Sequence, residues 1–100
     1  MANDQNNQRK LEFELPAEVA QGHYANLAII AHSPSEFILD FASMLPGMQK
    51  AKVKSRIVLT PEHAKRLLIS LQENINHYEQ NHGPINIKGG KAPFMGGGFA

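Results

Sequence analysis

The sequence predicts an α+β domain: a four-stranded antiparallel β-meander covered on one face by a single long C-terminal amphipathic helix. Three observations predict it. Apolar and polar residues alternate in separate segments before Leu59, the period of a half-buried strand. Ser33-Pro34-Ser35 and Leu45-Pro46-Gly47-Met48, both rich in turn formers, separate those segments. After Thr60 the apolar period changes to three and four and holds as far as Tyr78.

Residues 1–10 are polar and rich in asparagine and glutamine, too poor in apolar groups to order themselves, and are expected to form a tail. Leu11, Phe13 and Leu15 alternate with Glu12 and Glu14 ahead of Pro16, which predicts a short first strand at a sheet edge. Ala17 to Gly22 is a connector with room for one helical turn. The second strand is expected over Tyr24–His32 and the third over Glu36–Ala42, so that Phe37, Leu39 and Phe41 share a face with Ala28 and Ile30. The fourth, Ala51–Leu59, sets Val53, Ile57 and Leu59 on one side and Lys52, Lys54 and Arg56 on the other.

The helix has clear ends. Thr60 suits the N-cap, Pro61 the first helical position and Glu62 the positive end of the dipole. Ala64, Leu68, Leu71, Ile75 and Tyr78, widened by Leu67, form the apolar stripe, and Lys65, Arg66, Gln72, Glu73, Asn76 and Glu79 hold the other face. Asn81-His82-Gly83-Pro84 stops it. The stripe is expected to pack on Ile30, Phe37, Leu39, Phe41, Val53 and Ile57.

One hundred residues make one domain, read here as 11–83, followed by a flexible glycine-rich tail over 84–100. A core this small leaves a place for self-association. The absence of cysteine fits a reducing cytoplasm. The longest apolar runs are too short to span a bilayer, so no membrane partner is expected.

The second face of the sheet carries Leu27, Ile29, Ile38 and Val58 among charged residues, with no further segment to cover it. That is the pattern of a homodimer interface or a partner-binding surface. The competing reading is a wet face on which Asp40 pairs with Lys54. The net charge of +1 also hides a segregation: five acids and no Lys or Arg from Leu11 to Gln49, then four bases and no acid from Lys50 to Arg56. Lys50, Lys52, Lys54 and Arg56, with Lys65 and Arg66 on the helix, make a candidate nucleic-acid contact. Pairing with Glu36 and Asp40 is the alternative.

No catalytic set, cofactor or metal site is expected. His77 and His82 are five apart, the wrong spacing for one helical face, and no cysteine joins them. Ser33-Pro34-Ser35 beside His32 reads as turn chemistry rather than a nucleophile. Gly89-Gly90-Lys91 and Gly96-Gly97-Gly98 echo phosphate loops, yet no helix follows to supply its N-terminus. Phe94, Met95 and Phe99 in the tail leave open a short docking motif.

Val53 to Leu68, together with Tyr24-Ala25-Asn26-Leu27-Ala28-Ile29 and His32-Ser33-Pro34-Ser35-Glu36-Phe37, resembles the small bacterial family catalogued as domain of unknown function 3467. The resemblance covers Leu11 to Gly83, three blocks in order. It implies a cytoplasmic protein of about this size with no catalytic residues to carry over. Through members encoded beside the gene for a large RNA polymerase subunit, it implies an accessory role in transcription, with RNA polymerase or another transcription protein as partner.

Overall fold

A computed structural model describes residues 11–88. It contains a short helix α1 (Ala17–Ala20), strands β1 (Leu27–His32), β2 (Phe37–Ser43) and β3 (Lys52–Leu59), and a long helix α2 (Pro61–His82). The strands form one antiparallel sheet in the order β1-β2-β3. The α+β class holds, with three strands rather than four. Residues 1–10 and the glycine-rich end past Lys88, with the phosphate-loop echoes and aromatic residues expected there, lie outside the described residues.

The predicted first strand does not form. Residues 11–16 have no regular structure, and Phe13 is 88% exposed. Alternation makes a segment compatible with a sheet, but a strand exists only where a neighbouring edge completes its backbone hydrogen bonds. Among the described residues this segment gains no such neighbour. The single turn expected in the connector does form, as α1.

The hairpin turns follow from their residues. Between β1 and β2, the Ser33 N–H donates to the Glu36 carbonyl at 2.9 Å, and the Ser33 hydroxyl accepts from the Ser35 N–H at 3.3 Å. Between β2 and β3, the Met48 N–H donates to the Leu45 carbonyl at 3.1 Å, and Gly47 takes a φ of 85°. Pro46 then occupies the position of fixed negative φ and Gly47 the one that excludes other side chains, as in a type II turn.

The register sorts the sheet's two faces. Ala28, Ile30, Phe37, Leu39 and Phe41 share an inner face with Ile57 and Leu59; Leu27, Ile29, Ile38 and Asp40 share the outer one with Arg56 and Val58. This is the expected division, with one change. The pairing shifts between Phe41 and Ala42, so Lys54 has no partner and Val53 stands opposite Ala42 instead of on the inner side. Such a bulge breaks the alternation of a strand at one residue.

Helix α2 begins and ends where its sequence dictates. The Thr60 hydroxyl accepts from the His63 N–H at 3.2 Å. Gly83, at φ 93°, donates its N–H to the Glu79 carbonyl, and the Glu79 carboxylate accepts from the Ile85 N–H at 2.9 Å. Its placement, however, overturns the expected cover. No residue of α2 is buried, and its contact with the sheet is essentially confined to β3, the strand that leads into it. The reason is the connection: Thr60 alone separates β3 from α2, below the two to six residues usual for a strand-to-helix loop. The core is therefore small and lies inside the sheet, at Leu27, Ala28, Leu39 and Ala42.

One polar side chain extends the β1–β2 ladder. Asn26 donates through its amide nitrogen to the Met44 carbonyl at 3.0 Å and accepts from the Met44 N–H at 2.9 Å. The amide thus acts as a spare peptide group beyond the end of β1. Two hydrogen bonds, each worth roughly 0.5–1.5 kcal/mol net, predict that Asn26→Ala lowers stability by about 1–2 kcal/mol. Urea unfolding at fixed protein concentration checks this, with Asn26→Asp, which keeps only the acceptor, falling between.

Candidate interaction surface

The outer face of the sheet is built around one ion pair. Asp40 and Arg56 stand directly opposite each other on β2 and β3. The guanidinium donates through Nε to Oδ1 at 2.7 Å and through Nη2 to Oδ2 at 2.8 Å. This two-pronged geometry is the strong form of the interaction. The side chains differ in exposure, 14% for Asp40 and 63% for Arg56, because β2 is the central strand and β3 an edge. The competing wet-face reading pairs Asp40 with Lys54. The register decides otherwise: Arg56 falls opposite Asp40, and the bulge takes Lys54 out of the pairing.

Around that pair lie the apolar residues of the candidate surface. Leu27 is buried at 8%, Ile29 and Ile38 are half-buried, and Val58 is 53% exposed. Val53, brought opposite Ala42 by the bulge, is exposed as well. The open part of this surface is therefore centred on Ile38 and Val58, and Leu27 belongs to the core. Sequence alternation missed Val53 because nothing in the residues around Lys54 announces the shift.

The six candidate nucleic-acid contacts divide into two groups. Arg56 is held by Asp40, and Arg66 reaches Glu62 one helical turn back at 2.8 Å. Among the described residues, Lys50, Lys52, Lys54 and Lys65 have no carboxylate within 4.0 Å, and Glu36 takes no base. Lys50 precedes β3, Lys52 and Lys54 lie on that exposed edge strand, and Lys65 follows in the first turns of α2. The histidines are placed apart: His32 stacks on Phe37 at 5.2 Å between ring centres, and His82 tilts against Tyr78 at 4.8 Å. No helix among the described residues is long and apolar enough to cross a membrane.

The hydrogen bonds from Arg56 hold the Asp40 carboxyl below the ordinary aspartate value; partial burial opposes this, and attraction to the cation adds to it. The same hydrogen bonds, then the carboxylate charge, raise the Arg56 guanidinium. A carboxyl lowered in the folded state contributes stability that is fully present above its unfolded pKa and is lost as the pH falls through the folded one. The melting temperature of the native chain should therefore exceed that of Asp40→Asn at neutral pH. The gap should close as the pH is taken from about 5 to about 2. A gap that stays constant over that range would mean that the pair contributes nothing through Asp40 ionisation.

No curated protein and no solved structure matches this chain. The family model described as Protein of unknown function (DUF3467) matches residues 1–87, a span reaching past both ends of the Leu11–Gly83 resemblance and taking in the N-terminal residues. With nearly all of its length inside that match, the chain belongs to the DUF3467 family.

Proposed function

We propose that this chain is a non-catalytic protein–protein interaction module of the bacterial cytoplasm, which self-associates as a homodimer and offers its outer sheet face to a partner protein. The observation that carries this reading is the open apolar area of Val58, Val53 and Ile38 around the Asp40–Arg56 pair. Apolar side chains fringed by both signs of charge suit a protein partner: the centre excludes water and the rim fixes orientation. The transcription machinery, RNA polymerase first, is the partner that the family resemblance implies. Recovery of a tagged chain at natural abundance tests it. RNA polymerase subunits are expected in the eluate, reduced at least about tenfold by Val58→Glu, since a charge placed in a desolvated contact costs a large part of its energy. An eluate free of polymerase removes the transcription assignment.

The lysines favour a second reading, nucleic-acid binding through Lys50–Arg56. Lys50, Lys52, Lys54 and Lys65 are exposed and have no carboxylate partner among the described residues. Four such phosphate contacts predict an affinity for duplex DNA that falls with salt with a slope near −3.6 on logarithmic axes, about −0.9 per contact. On this reading Lys52→Ala with Lys54→Ala lowers the slope by about two contacts. A salt-independent or absent shift on DNA rejects it.

A further inference from the structure

The inner face of the sheet and the apolar stripe of α2 both keep open apolar side chains, and they belong to the same chain. On α2, Leu68 is 61% exposed and Leu71 53%, with Leu67, Ile69 and Tyr78 also open. On the inner face, Ile57 is exposed and Ile30, Phe37 and Phe41 are only half-buried. From these surfaces we infer that two copies of this chain exchange their C-terminal helices, each α2 lying over the inner face of its partner's sheet. The inference deepens the self-association proposed above, on which it rests, and leaves the outer face free.

Three observations select a second copy as the occupant. The first is the connection. Thr60 is extended, at φ −68° and ψ 159°, and is the whole link between β3 and α2. One residue does not let a helix reverse and rise by its own width, about 10–12 Å, onto the sheet that it leaves. A short hinge of this kind favours exchange between copies over closure within one.

The second is chemical match. The inner-face residues Ala28, Ile30, Phe37, Leu39, Phe41 and Ile57 carry no formal charge, with Lys52 only at the end of that face opposite Ser43, and the stripe of Ala64, Leu68, Leu71, Ile75 and Tyr78 carries none. Laying one on the other buries no ion, whereas the outer face would set Asp40 and Arg56 beneath the helix. The third is area. A helix of 22 residues is about 33 Å long and about 10 Å across, a footprint of roughly 330 Å². Each chain contributes one helix footprint and one sheet footprint of similar size. That approaches the ~800 Å² per partner of a standard specific interface, and the twofold exchange closes on itself.

The chain has no cysteine, so introduced thiols report cleanly. Chains carrying Leu71→Cys are mixed with chains carrying Ile57→Cys, and a short bis-maleimide is added. Helix exchange predicts a covalent dimer from the mixture and little from either variant alone. In the double variant the cross-link joins two chains. A double variant cross-linked within one chain overturns the inference, because α2 then lies on its own sheet. Cross-links confined to Leu71→Cys alone also overturn it: helices then pair with helices, and the interaction module survives without exchange. A monomeric mass by light scattering at hundreds of micromolar overturns self-association altogether, and only the outer-face docking remains.

The hinge gives an independent arm. Inserting Gly-Ser-Gly-Ser after Leu59 is expected to convert the dimer into a folded monomer of unchanged helix content by circular dichroism. A dissociation constant within about threefold of the native one overturns the exchange. Leu71→Glu is expected to weaken the dimer at least roughly thirtyfold, and Glu73→Gln, on the opposite side of α2, to leave it unchanged.

Discussion

A single extended residue, Thr60, joins an edge strand to a helix of 22 residues, and most of what is unusual about this chain follows from that short link. The N-cap bond from the His63 N–H to the Thr60 hydroxyl fixes the start of α2 directly after β3. Pro61 and Glu62 then commit the following residues to the helix. Good local capping and poor tertiary cover thus have the same cause. The helix is specified so close to the strand that it cannot return over it. Two apolar surfaces that would satisfy each other within one chain are held apart.

A sheet that no helix among the described residues covers depends on devices inside its own plane. β2 is paired on both sides, and its Leu39 and Ala42 are buried. The Asn26 amide adds one more rung at the end of β1, and the Asp40–Arg56 pair ties β2 to β3 at mid-strand. Both are short-range polar links between adjacent strands. They fix register where a thick core is lacking, because a slip of one residue would separate each pair and send every side chain to the other face.

The two faces differ in charge. The outer face mixes apolar residues with the Asp40–Arg56 pair at mid-sheet; the middle of the inner face is uncharged, and Lys52, opposite Ser43, stands at its end. A surface of the first kind suits a partner that comes and goes, since its polar rim remains tolerable in water. A surface of the second kind suits a permanent neighbour. On the proposed reading, self-assembly and partner contact fall on opposite sides of the sheet.

Much of this was legible in the residues, and the limits have a physical pattern. The turn at Pro46-Gly47, the cap at Thr60, the stop at Gly83 and the face sorting of β1 and β2 were all readable, because each depends on neighbours a few positions away. Alternation alone makes residues 11–15 look like a strand, and it leaves the partner of Asp40 open between Lys54 and Arg56. Both depend on which backbone edge meets which, a matter that periodicity does not encode. The second role of Asn26, as a surrogate peptide group, is likewise invisible until Met44 is brought beside it. The sequence by itself determined the local elements, their ends and the faces they could present, since capping, turn chemistry and period act over a few bonds. Only the tertiary structure decided the bulge, the partner of Asp40 and the separation of helix from sheet, because these are set by pairing across the chain and by the reach of one connecting residue.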